Sequence, residues 1–186
     1  MTSQVEICNL ALSRIGAGTI SAIDEDTREA RTLLLHYEPT LRSLLRAHEW
    51  NFAKKRVVLA QLSTAPVSEY AYQYALPSDF LKVCRINGAF TDEYRLEGSA
   101  LLSDEDPVTL EYVHAVTDPN LFDAIFTDVL AQKLASEIAY ALTENNGLTE
   151  SVFRIYSDKL REARTMNARD GTPRNIEAST WLDARA

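Results

Sequence analysis

This sequence predicts an α+β fold, mainly helical: an antiparallel helix bundle built from both ends of the chain, with a small antiparallel β-sheet inserted in the middle. Three observations carry that prediction. Apolar residues recur at three- and four-residue spacings over roughly 3–50 and again over 118–166, the period of an amphipathic helix. Between those stretches, from Arg56 to about Val116, the pattern changes to short runs rich in β-branched and aromatic residues, separated by turn clusters. The chain has 186 residues, 46% hydrophobic and 25% charged, which suffices for a genuine core in an ordinary globular protein. The expected division is 1–55 with 118–171 as one discontinuous helical bundle, 56–117 as a β-rich insertion, and 172–186 as an extended C-terminal tail.

The first helix is expected from about Ser3 to Ile15. Val5, Cys8, Leu12 and Ile15 share a stripe, and Gly16 stands where a left-handed stop belongs. In the loop AGTISAIDEDT, the acids Asp24, Glu25 and Asp26 read as a helix entrance that complements the N-terminal dipole rather than as a cation site. The second helix spans roughly Thr27 to Trp50, with Ala30, Leu33, Leu34, Tyr37, Leu41, Leu44, Leu45 and His48 as its core stripe. Pro39 lies inside it. Proline there removes a donor and clashes one turn back, at roughly 3 kcal/mol, which predicts a kink near His36 or two abutting helices.

VVLAQL, LKVCRI, YRLEG, ALLSD and VTLEYVHAV supply four or five short strands, with turns at TAPVS, PSD, NGAFTDE, EGS and SDEDP. In the last strand Val108, Leu110, Tyr112 and Val116 define an inner face against Thr109, Glu111 and His114. Asp118 followed by Pro119 is a helix start. The third helix then runs to about Asn145, with Phe122, Phe126, Leu130, Leu134, Ile138 and Leu142 in one row. Gly147 is the expected stop, and Thr149 opens a fourth helix bearing Val152, Tyr156, Leu160, Ala163 and Met166. The short link makes these two helices antiparallel neighbours. After Gly171 the periodicity is lost, leaving Trp181 and Leu182 as an exposed apolar pair.

The inventory for chemistry is thin. His36, His48 and His114 form no H-x-x-x-H pair, and Cys8 and Cys84 form no C-x-x-C pair. Both cysteines lie among apolar residues and read as buried free thiols of a reducing compartment. No phosphate loop, dinucleotide fingerprint or G-x-S-x-G elbow occurs. Asp79 and the run Asp104, Glu105 and Asp106 sit in predicted turns, where carboxylates cap and solubilise. No catalytic residue, cofactor-binding set or metal-ligating set is therefore predicted. No apolar run approaches the ~20 residues that cross a bilayer, and the N-terminus lacks the basic start of a signal peptide. The net charge of −8 argues against phosphate gripping as the main task. The one dense basic run is Lys54, Lys55 and Arg56. It reads either as a contact for DNA or an acidic partner, or as a solvated helix-to-strand junction.

The segments CNLALSRIGAGTISAIDEDTREA, HYEPTLRSLLRAHEWNFAKKRVVLA, YALPSDFLKVCRI and LEYVHAVTDPNLFDAIFTDVLAQKLASEIAYALTEN appear in this order over about residues 3–170. Together they resemble the tail tubular protein A family, the head-to-tail adaptors of short-tailed bacteriophages. The HEWNFAKKR junction and the LPSDFLKV turn are the most specific pieces. The resemblance implies a non-catalytic virion protein, made in the host bacterial cytoplasm. It implies a ring, usually of twelve copies, under the portal protein, with the tail nozzle and tail fibres on the other side and DNA passing through without sequence-specific binding. Within that reading Trp50, Phe52, Lys54, Lys55, Arg56, Trp181 and Leu182 are the expected interface residues. The alternatives are a tail-associated glycan hydrolase working through two carboxylates, which would need them on facing walls of a cleft, and a DNA-packaging accessory gripping DNA through the basic run.

Overall fold

In the computed structural model, which describes residues 2–67, 69–90 and 93–170, helix α1 (Gln4–Ile15) opens on a capping box. The Ser3 hydroxyl accepts from the Glu6 amide at 3.1 Å while the Glu6 carboxylate accepts from the Ser3 amide at 2.7 Å. Gly16, at φ 70°, ends the helix in the left-handed conformation expected of it. The loop that follows is tied to α1 by two bonds between the Asn9 side chain and the Ile20 backbone. Its acidic stretch builds the turn: Glu25 accepts from the Ser21 and Ala22 amides and from the Thr27 hydroxyl. Thr27 then caps helix α2 (Arg28–Ala47).

Helix α2 runs unbroken through Pro39, so the alternative of two abutting helices is corrected. The carbonyl deprived of its donor is that of Leu35, on the solvent side, where water can take the missing place. The helix stops at Ala47, earlier than expected, with His48 as its extended C-cap. Leu34 is exposed and leaves the core stripe. A 3-10 turn (Asn51–Ala53) then leads directly into β1 (Lys54–Val58).

Helix α3 (Ala124–Thr143) is the central element. It packs against α1, α2 and helix α4 (Asn146–Arg169), and residues on several sides of it are buried, from Phe126 to Ala139, as a helix surrounded by others requires. Arg28 bonds to the Ala141 carbonyl and Lys133 bonds to Ser43 at 2.6 Å, so α2 runs antiparallel to α3. Gln132 donates to the Val152 carbonyl at 3.0 Å and Lys159 reaches Asp128 at 2.5 Å, so α4 is antiparallel as well. Arg14 of α1 also binds Asp128.

The β region forms two three-stranded antiparallel sheets rather than the single sheet expected. One has the order β1–β6–β3, with β3 spanning Phe80–Ile86 and β6 Thr109–His114. The other has the order β2–β5–β4, with β2 spanning Tyr72–Ala75, β4 Arg95–Glu97 and β5 Ala100–Ser103. Strand β3 carries register shifts between Phe80 and Lys82 and between Val83 and Arg85. Each extra residue turns the pleat once more. Leu81 and Cys84 therefore both enter the helical core, while Phe80, Val83 and Ile86 pack in a second core with Tyr74, Leu101, Leu110 and Tyr112. The β1–β6–β3 sheet is thus the layer common to both cores.

Candidate interface at the bundle–sheet junction

The HEWNF segment is built inward. Trp50 is only 2% exposed, its indole donates to the Leu44 carbonyl at 2.9 Å, and it meets Phe126 edge-on with centroids 5.0 Å apart. Phe52 meets Phe126 edge-on with centroids 4.9 Å apart and packs at a tilt against Phe122 at 5.9 Å. The expectation that Trp50 offers an exposed docking ring is corrected. A buried indole that satisfies its N–H inside the fold is a core anchor, and Phe52 is packed against the same core.

The polar residues of the segment close a clasp on the end of α4. The Asn51 amide donates to the Asn167 side chain at 2.9 Å, and the Asn51 side chain donates to the Asn167 carbonyl at 2.7 Å. The Asn167 amide group donates to the Glu49 carbonyl at 3.1 Å and lies 3.0 Å from His48 Nε2. Burial holds the His48 imidazole below its ordinary pKa, with Arg164 and Lys54 adding to the effect, which suits a neutral ring accepting at Nε2. A cavity of about 210 Å³ opens beside the clasp, lined by Trp50, Asn51, Asp123, Asn167 and Asp170 among others. That is below the ~300 Å³ at which small-molecule pockets begin.

The basic run that follows is paired residue by residue. Lys54 lies 3.6 Å from Glu49, Lys55 lies 2.8 Å from Asp79, and Arg56 lies 2.8 Å from Glu111. Arg85 holds the second oxygen of Glu111 at 2.7 Å. Burial opposes the charge on Glu111, yet the Arg56 and Arg85 guanidiniums hold its carboxyl below the usual range. The alternation of β6 predicts an outer face for Glu111. The register Arg56–Glu111–Arg85 across three strands explains why it is instead buried. No local signal shows this, because both partners lie on other strands.

Asp79, at the LPSDF turn, joins the same site. Its carboxylate accepts from Lys55 and, at 2.9 Å, from the Tyr112 hydroxyl, and its carbonyl accepts from the Ala115 amide at 2.8 Å. His114 Nδ1 stands 3.7 Å from Asp79, and burial followed by the Lys55 charge lowers its pKa. The HEWNFAKKR and LPSDFLKV segments therefore meet, 24 residues apart in sequence, at the Lys55–Asp79 bond. The cysteines are free and buried, with burial pushing the Cys8 thiol up to about 12 and that of Cys84 to about 11, far from nucleophilic.

Among the described residues no group of three or more His, Cys, Asp or Glu side chains is placed to hold a metal ion. No helix of these residues is long and apolar enough to cross a membrane. Helix α4 covers the core with Val152 and Ala163 and leaves Phe153, Ile155 and Met166 exposed, so Met166 departs from the expected stripe. Trp181 and Leu182 lie outside the described residues. No family model matches the chain, and no curated protein matches it.

Proposed function

We propose that this chain is a structural adaptor of the phage head-to-tail junction, a virion protein that docks as a ring under the portal, receives the tail nozzle and tail fibres, and lets DNA pass. The observation that most supports the reading is the Lys55–Asp79 meeting point. The two segments that carry the resemblance spend their polar groups on each other and on α4: Lys55–Asp79 ties β1 to the turn before β3, and Asn51 ties the junction that leads into β1 to the end of α4. Such a rigid joint suits a protein that transmits load between a head and a tail. The exposed apolar side chains Ile155 and Met166 share one flank of α4 and Phe153 stands on the other, which suits a ring in which each copy meets a neighbour on either side.

The glycan hydrolase alternative draws less support. Its general acid needs a raised carboxyl pKa, whereas among the described residues the carboxyls with displaced values, Glu25, Asp79, Glu111 and Asp128, are lowered. The DNA-gripping alternative is weakened by the carboxylate partner beside each of Lys54, Lys55 and Arg56.

Native mass spectrometry with negative-stain imaging over a concentration series, repeated with the cognate portal protein, tests the proposal. Closed rings of one copy number, formed alone or on the portal, are expected. A strict monomer under both conditions sinks the adaptor reading.

A further inference from the structure

Helices α2 and α4 both run antiparallel to α3, so they are parallel to each other. Their inner flanks are marked by contacts. Lys133 of α3 bonds to Ser43 of α2 and stands 5.9 Å from the Tyr156 ring of α4, and Arg164 of α4 donates to the Ala47 carbonyl of α2. At about 100° per residue, the flank of α2 turned away from α4 carries Leu34, Glu38, Arg31 and Arg42, with Leu35 at its solvent edge. The flank of α4 turned away from α2 carries Met166, Ile155, Glu162, Arg169 and Asp158. All of these side chains are exposed, and Leu35 and Met166 are 74% and 40% so. The two flanks lie on opposite sides of the bundle.

Their charges are largely uncommitted. Among the described residues Glu38, Arg42, Glu162 and Arg169 make no ion pair, and Arg31 holds the exposed Asp26 through one amino group alone. Arg31, Leu35 and Glu38 follow one another at four and three residues, and Glu162, Met166 and Arg169 do the same. Laid parallel, the flanks set Glu162 beside Arg31, Met166 beside Leu35 and Arg169 beside Glu38. Laid antiparallel about the same apolar pair, they set Arg169 beside Arg31 and Glu162 beside Glu38, like charges at both ends.

The parallel arrangement is the one that rotation about an axis along the bundle generates, because α2 and α4 already share a direction within each copy. A two-fold pair through either helix would leave the flank of the other uncovered. We propose, resting on the adaptor reading, that α4 of one copy docks in parallel on α2 of a second copy. Met166 meets Leu35 at the centre of the contact, and the pairs Glu162–Arg31 and Arg169–Glu38 fix its register.

The test is cysteine cross-linking of the full chain, alone and with the cognate portal protein. The native thiols Cys8 and Cys84 are buried and stay out of the reaction. Chains carrying Leu35→Cys mixed with chains carrying Met166→Cys should give on oxidation a covalent dimer that neither gives alone, since the proposed register brings the two positions within disulfide range. Glu162→Arg with Arg169→Glu should abolish ring formation, and adding Arg31→Glu with Glu38→Arg to the same chain should restore it. Rings that form without this cross-link, or charge reversal without rescue, overturn the assignment and leave the adaptor reading standing. A strict monomer under both conditions overturns both. A dimer from Leu35→Cys alone overturns the assignment in favour of a two-fold pair. Cross-linking of that cysteine to the portal protein overturns it in favour of a portal-facing α2.

Discussion

The residue that separates packing from docking is Trp50. Its ring joins α2, the 3-10 turn and α3 through Leu44 and Phe126. Truncation to Ala removes a buried aromatic at a cost of about 3–5 kcal/mol, and Trp50→Phe, which keeps a ring but loses the bond to Leu44, should cost clearly less. Urea unfolding measures both; equal losses would show that the ring itself contributes nothing. Glu111 offers the opposite asymmetry. Replacing Arg56 and Arg85 together by Ala strands a buried carboxylate, about 3–5 kcal/mol. Glu111→Gln leaves its two guanidiniums near solvent and should cost only about 1–2 kcal/mol. A Glu111→Gln loss as large as the double-arginine loss would contradict the view that the stranded charge dominates.

At the scale of elements, α4 packs along α3 through Val152 and Ala163, with Leu148, Tyr156 and Leu160 beside them, and its last turn is held in addition by the Asn167 clasp. Asn167→Ala removes the acceptor for the Asn51 amide and the donor to Glu49. A loss of about 1–2 kcal/mol is expected, with faster amide exchange confined to the last turns of α4. Unchanged exchange there would mean that the apolar contacts alone hold the helix. The helices were the legible part of this fold: the stripes of α1, α2 and α3 and the stop at Gly16 follow from local pattern. Their ends were less so. Asp118–Pro119 does start a turn, the 3-10 turn Pro119–Leu121, but Asp123 caps the α-helix by accepting from the Ile125 and Phe126 amides. Two caps five residues apart look alike in sequence, and the packing of Phe122 and Phe126 on Phe52 discriminates between them. Likewise Glu144, at φ 54°, stops α3 and Asn145 caps α4, which puts Gly147 inside the first turn. The split into two sheets and the burial of Glu111 depend on pairing between distant strands, which no local period encodes. The site was half legible: the sequence singled out its two segments, and only the fold brought them into contact.

For the molecule as a whole, the ionisable groups at the junction set a direction for stability against pH. His48 and His114 have lowered pKa values, so the unfolded chain takes up their protons first. Stability is then complete above the ordinary imidazole value of about 6.5 and declines as the pH falls toward the folded-state values. Asp79, Glu111 and Asp128 are also lowered, burial being outweighed by Lys55, by Arg56 and Arg85, and by Lys159 and Arg14. Their contribution is present above the ordinary carboxyl value of about 4 and is lost as the pH falls through their folded values. The two sets act in the same direction and in different windows. Urea midpoints measured from pH 8 to pH 3 should therefore fall in two steps, the first below about 6.5 and the second below about 4. The variant His48→Asn with His114→Asn should lose the first step and keep the second. Among these groups His48 touches the clasp on α4 through Asn167, so acid should loosen that clasp before the carboxylate pairs are lost. A flat profile between pH 8 and pH 5 in the parent chain would show that neither histidine is held neutral by the fold. It would also remove the electrostatic argument that the clasp at Asn167 depends on a neutral His48.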